Sequence, residues 1–151
     1  MKAVFTGAFL ALSAEDREWI EDLFGGFFET VKLNHVTLAF KPSPEELDAT
    51  PLGKEIDLRV IGKVEARDFL SPAGETTEGV QALVVELPAG IGCGNSVPHV
   101  TVSVKGSTKP VSSNWALEAG WDPITPFTLH ARVGCFANTG GKTRVVFQHP
   151  I

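Results

Sequence analysis

Two short segments of this chain repeat one alternation of polar and apolar side chains, and this repeat limits the possible folds most strongly. Residues 34–38 read NHVTL and residues 98–102 read PHVTV. Side chains alternate between the two faces of a strand, so each segment predicts a strand that buries an aliphatic face. The opposite face then carries an imidazole and, about 7 Å further along, a hydroxyl.

The polar pairs are His35 with Thr37 and His99 with Thr101, and the two histidines lie 64 positions apart in a chain of 151 residues. An internal duplication would produce a spacing of slightly less than half the chain. A lone histidine in a strand is more often a packed or surface residue than a catalyst. Two matched pairs instead favour a shared site in a cleft.

The remaining pattern mixes strands with short helices. Ser13 with Asp16, and Ser43 with Glu46, stand three residues apart as in capping boxes, and each pair predicts the start of a helix. A third short helix is predicted near 113–119. Strands are predicted at 3–11, 32–40, 55–65, 79–87, 99–105, 126–134 and 143–149. The helices do not alternate regularly with the strands, so we expect an α+β fold in a single domain over residues 1–151.

Charge and composition exclude several classes of partner. The formal net charge is −5, which argues against binding long nucleic acid through a basic surface. No apolar run approaches the roughly 18–20 residues that span a bilayer, so no membrane partner is expected. The apolar stretch near the N-terminus is short for a signal peptide and is better explained as a buried first strand.

Two cysteines, Cys93 and Cys135, are too few and too far apart for a zinc motif. No metal ligands and no cofactor are therefore expected, and reduced thiols fit a cytoplasmic protein. The sequence does not indicate the oligomeric state. No GxSxG segment occurs, which argues against a serine hydrolase.

Two imidazoles and two hydroxyls around one pocket suit displacement at phosphorus. One imidazole can remove a proton from water while the other protonates the leaving oxygen, because histidine titrates near neutral pH. Threonine hydroxyls can hold the phosphoryl oxygens without adding charge. The residue types alone do not assign which histidine is the acid and which the base.

With these two His-x-Thr-x motifs, the chain resembles the two-histidine (2H) phosphoesterase superfamily over nearly its whole length. HVTLAF and HVTVSV look closest to its tRNA-ligase cyclic phosphodiesterase-like and RNA-repair-associated branches. The resemblance implies two pseudo-symmetric lobes with antiparallel sheets around a central cleft, and metal-independent hydrolysis of a 2′,3′-cyclic phosphate on a nucleotide or RNA end. It implies that His35 and His99 are the acid–base pair and that Thr37 and Thr101 bind phosphate. By analogy with relatives that release a 2′-phosphate, His35 would be the acid and His99 the base.

Two alternatives stay open on the sequence: a nuclease of cyclic oligonucleotide signals, and a noncatalytic nucleotide-binding module on the same fold. Strict alternation along the strand predicts that Phe40 faces the core, with base stacking as the alternative. Lys41 and Lys105 follow the motifs at equal offsets and either attract phosphate or are simply solvated. Trp115 and Trp121 are expected in the core, with base stacking as the alternative. The GIGCGNS segment before His99 is expected to form a flexible loop near the cleft.

Overall fold

The computed structural model describes residues 2–149, and in this range helices are short while strands dominate. The three helices are α1 (Ala14–Phe24), α2 (Pro44–Ala49) and α3 (Ser112–Glu118). The eight strands are β1 (Lys2–Leu10), β2 (Thr30–Val31), β3 (His35–Phe40), β4 (Glu55–Leu70), β5 (Thr76–Glu86), β6 (His99–Lys105), β7 (Asp122–Thr139) and β8 (Lys142–Val146). The α+β expectation is therefore confirmed.

The first two helices begin where the capping signals place them. The Ser13 hydroxyl accepts from the backbone N–H of Asp16, and the Asp16 carboxylate accepts from the N–H of Ser13. Ser43 and Glu46 form the same reciprocal pair at the start of α2. These bonds satisfy N–H groups that a helix start would otherwise leave unpaired. Gly25 ends α1 in the left-handed conformation, with φ of 68°.

All strand pairs are antiparallel, and within residues 2–149 they form one eight-stranded sheet rather than two separate ones. The order is β1-β3-β6-β5-β4-β7-β8, and β2 adds to β6. β1 also pairs with β7, so the pairings of β1, β3, β6, β5, β4 and β7 close into a ring. The division into two lobes stays a prediction.

The strand pairs β1–β3 and β5–β6, which flank the β3–β6 pair, have the same irregularity in their register. On one side, Gly7 pairs with Thr37 and Thr6 with Ala39, which leaves Leu38 as an unpaired extra residue. On the other side, Ala82 pairs with Thr101 and Gln81 with Ser103, which leaves Val102 unpaired. Both motifs therefore carry a β-bulge at the residue after the threonine. This shared irregularity supports a duplicated strand pair.

Two apolar clusters lie on opposite faces of the motif strands. Val36 and Val100 are fully buried in the larger cluster, which includes Ile20 of α1. The smaller cluster packs α3 residues such as Leu117 against β5, where Val84 pairs with His99. The motif histidines therefore project from the side away from the larger cluster. No helix within residues 2–149 has both the length and the apolar character needed to cross a membrane.

The predicted strand over 32–40 is interrupted. Leu33 has φ of 49°, which extended backbone does not allow, so residues 32–34 belong to no strand: β2 ends at Val31 and β3 begins at His35. Leu33 is nevertheless 5% exposed and packs in the larger cluster. Burial of its side chain offsets the cost of this backbone conformation, and the turn it produces places the next residues, Asn34 and His35, at the start of β3.

Candidate active site

The structure brings all four predicted site residues to one cavity. His35 and Thr37 from β3, and His99 and Thr101 from β6, line a cavity of about 490 Å³. A single ladder pair, Val36 with Val100, joins these two strands. Antiparallel register around that pair places each histidine across from the threonine of the other motif. The predicted cluster is thus formed by strand pairing alone.

The bulge in β3 explains why the expectation for Phe40 is wrong. Leu38 is the extra residue, so the alternation of side chains reverses after it, and Phe40 pairs with Phe5. Phe5 and Phe40 both line the cavity, on the same face as His35. Phe40 is 67% exposed. An exposed aromatic ring at the cavity wall is available to a ligand, which a core phenylalanine would not be.

Backbone groups at each bulge are held by the segment that leads into the other motif. The Thr37 carbonyl accepts from the Cys93 thiol at 3.3 Å, and the Leu38 carbonyl accepts from Gly94 N–H at 2.7 Å. These bonds fix the glycine-rich loop that precedes His99. They place Asn95, the next residue, in the cavity lining.

The equivalent bulge in β6 is held in the same way. The carbonyls of Val102 and Thr101 accept from the N–H groups of Lys32 and Leu33, at 2.8 and 3.0 Å. Lys32 and Asn34 thereby also line the cavity. Each motif strand is therefore positioned by hydrogen bonds from the segment that precedes the other motif. The glycine-rich loop, which was expected to be flexible, is bonded to β3 through Cys93 and Gly94.

His35 is enclosed by aromatic rings and bonded to its own threonine. Its ring lies 4.6 Å from that of Phe5 and 5.4 Å from that of Phe9, centroid to centroid. Its Nε2 lies 3.1 Å from Thr37 Oγ1. Burial lowers the pKa of His35, and a positive charge on nearby His99 lowers it further. The two imidazoles therefore influence each other's protonation.

His99 has a fixed tautomer. Its Nδ1 lies 2.8 Å from the Val97 carbonyl oxygen, and because a carbonyl can only accept, Nδ1 carries the hydrogen. In the neutral ring Nε2 is then unprotonated. Burial lowers the pKa of His99, and the bond to Val97 opposes this only in part. This is the arrangement expected of a general base.

Thr101 is supported by α3. Its Oγ1 lies 2.8 Å from Ser113 Oγ, and Ser113 is completely buried. Thr101 Oγ1 is also 3.4 Å from the Pro110 carbonyl. If Ser113 donates to Thr101, the Thr101 proton is directed at the Pro110 carbonyl, and a closer acceptor in the cavity can displace this long bond. The two threonines therefore differ in their partners, since Thr37 bonds to its histidine and Thr101 to a serine.

The cavity suits an anion, although the chain as a whole is acidic. Among the residues that the structure describes, the lining contains one lysine, Lys32, and no carboxylate. Asn34, Asn95 and Asn114 add amide groups that can donate as well as accept. Val111, which is 51% exposed, and Pro110 supply apolar surface on the α3 side. A phosphate group with an attached planar base matches this mixture.

The other candidate residues lie elsewhere. The Lys41 ammonium lies over the Phe40 ring, 5.4 Å from its centroid, and neither Lys41 nor Lys105 lines the cavity. Trp121 is 36% exposed, so its expected burial in the core is wrong. Another cavity, of about 460 Å³, contains Cys93 and Glu46 but no histidine. Within residues 2–149, no group of three or more histidine, cysteine, aspartate or glutamate side chains is placed to hold a metal ion.

Sequence reasoning missed several lining residues. Asn34 directly precedes His35 and could have been identified from that position alone. Asn95, Asn114 and Val111 lie in a loop or helix without a periodic pattern, and their positions depend on contacts with distant strands. Comparison of the chain with protein-family models, curated proteins and solved structures gives no match.

Proposed function

We propose that this chain is a metal-independent phosphodiesterase of the two-histidine type, which hydrolyses a 2′,3′-cyclic phosphate on a nucleotide or RNA end. The observation that carries the proposal is the convergence of two His-x-Thr pairs, from separate strands, on one cavity whose described lining contains no carboxylate. The two halves with matching bulges would then correspond to the two lobes of that superfamily's fold.

The hydrogen bonds of the two histidines support different roles for them, one as the base and one as the acid. Nε2 of His99 is the free acceptor, so His99 removes a proton from the attacking water. His35 in its protonated form donates from Nε2, the atom that now contacts Thr37. A leaving ribose oxygen that replaces this contact would receive the proton. Water oxygen bonds to phosphorus, one bridging P–O bond breaks, and a phosphomonoester results.

The hydroxyls and the lysine stabilise the charge on phosphorus. Thr37 and Thr101 donate to the two oxygens that do not bridge to the ribose, and Lys32 adds a positive charge at the cavity wall. The base of the nucleotide stacks on the exposed ring of Phe40. In this assignment every group that contacts the phosphate is neutral or cationic.

The test is hydrolysis of nucleoside 2′,3′-cyclic monophosphates in the presence of EDTA, with the product identified by phosphorus NMR. We expect His35→Ala and His99→Ala each to lower turnover by at least ~10²-fold, the usual contribution of a general acid or base. Thr37→Ala and Thr101→Ala should lose less. His130→Ala is the matched control, because His130 is exposed and pairs with Asp57 outside the cavity.

Full activity in either histidine variant would disprove the assignment of that residue. Strong inhibition by the chelator would show that a metal takes part. A 2′-phosphate product would identify the 3′ oxygen as the leaving group, and a 3′-phosphate product the 2′ oxygen.

A further inference from the structure

A second, smaller cavity adjoins the candidate active site, and it is rich in hydroxyl groups. Its volume is about 330 Å³. Val111 lines both cavities, so the two share a wall formed by the segment before α3. Ser71 and Thr77 of the β4–β5 hairpin region, and Ser112 of α3, line this second cavity and are 9%, 7% and 4% exposed.

Two of the hydroxyls that line this cavity have a proton free to donate. Ser71 Oγ and Thr108 Oγ1 each accept a backbone N–H, from Glu75 and Gly79, which leaves their own hydrogens available. Thr77 and Ser112 add two further hydroxyls that are largely shielded from water. The free protons on Ser71 and Thr108 fit a ligand that accepts hydrogen bonds.

The remaining lining defines the chemistry of that ligand. Lys109 adds a cation, and Trp115 adds an aromatic ring. Glu75, which is exposed, is the acidic residue of the described lining. A carboxylate there disfavours a free phosphate dianion, but it can accept a hydrogen bond from a ribose hydroxyl. Hydroxyl donors, one lysine, one carboxylate acceptor and one indole together fit a ribonucleotide joined through a phosphodiester.

We propose that this second cavity binds the nucleotide next to the reacting one, so that the substrate is an RNA end rather than a free cyclic mononucleotide. The inference rests on the proposed function for the identity of the reacting group. A mononucleotide would occupy only the larger cavity. An RNA end would pass over Val111 and place its preceding phosphodiester among Thr77, Ser112 and Lys109.

The first experiment compares kcat/KM for an RNA trinucleotide ending in a 2′,3′-cyclic phosphate with that for the corresponding cyclic mononucleotide. The trinucleotide should be preferred roughly tenfold or more, as expected from one or two added hydrogen bonds to a charged group. Thr77→Val and Lys109→Gln should reduce this ratio toward one. Lys142→Gln, on the outer strand β8 and away from both cavities, is the matched control and should leave the ratio unchanged.

The second experiment does not depend on turnover. Calorimetry measures the binding of uridine 3′-phosphate and of a uridine trinucleotide with a 3′-phosphate to the full chain. The trinucleotide should bind more tightly, and Thr77→Val should remove the difference. Equal binding of the two ligands, or a difference that survives in Thr77→Val, would overturn the second cavity as a nucleotide site. Lack of hydrolysis together with length-dependent binding would reject only the proposed reaction.

Discussion

A single methyl group added at Gly7 should disturb both the fold and the candidate active site. Gly7 is buried in β1, opposite Thr37 in the register. A Cβ at this position would lie 2.9 Å from the Val36 carbonyl oxygen and 3.5 Å from Cδ2 of His35. The first contact is to backbone, so no rotamer change can relieve it, and β1 and β3 must move apart.

The expected cost of Gly7→Ala is that of overpacking, about 1–3 kcal/mol in the free energy of unfolding. For a chain of this size, that corresponds to a Tm lowered by roughly 2–12 °C. Because β3 carries His35 and Thr37, turnover should fall as well, by up to ~10²-fold if the imidazole moves by about 1 Å. Thermal unfolding and cyclic phosphate hydrolysis measure the two effects on the same preparation.

Gly92→Ala is the matched control. An added Cβ at Gly92 meets no atom within 4 Å, and its φ does not lie in the left-handed region. The control should keep its stability and its turnover. Wild-type stability in Gly7→Ala would refute the steric argument. Lowered stability with unchanged turnover would refute the claim that this contact positions His35.

Two further predictions concern pH and base stacking. The profile of kcat/KM against pH should be bell-shaped and centred below about 6.5, because burial lowers the pKa of both His35 and His99 in the free protein. A bell centred above about pH 7.5 would contradict this assignment of the acid and base. Phe40→Ala should weaken nucleotide binding by about 1–3 kcal/mol, the usual contribution of a stacked base. Its Tm should change little, since the ring is 67% exposed, and unchanged nucleotide affinity would reject Phe40 as the stacking surface.

Interactions between residues close together in the sequence made much of this fold predictable. The capping boxes at Ser13 and Ser43 determine where helices start, because they act over three residues. Strand β6 matches its predicted span of 99–105, because the bulge at Val102 interrupts the pairing without ending the strand. The convergence of the two motifs was also predictable, because repeated strands in one domain commonly pair.

Features that depend on distant partners were not predictable. The bulge at Leu38 arises from a shift of register in the pairing of β3 with β1, and nothing in HVTLAF alone indicates it. β7 begins at Asp122 rather than at the predicted residue 126, and it includes Pro123, which cannot donate to a sheet ladder. Asn95 reaches the cavity only because Gly94 bonds to β3.

Closure of the strand pairings into a ring bears on how the chain behaves at high concentration. Exposed strand edges can recruit other molecules into intermolecular sheets, and a ring leaves few such edges. The outer edge of β8 carries exposed Lys142 and Arg144, whose like charges repel a second copy of the same edge. Within the described part of the chain, residues 64–70 of β4 have no strand on their outer side, but Asp68, with φ of 50°, interrupts the extended backbone there. The architecture that forms the cleft therefore also protects the chain against edge-to-edge aggregation.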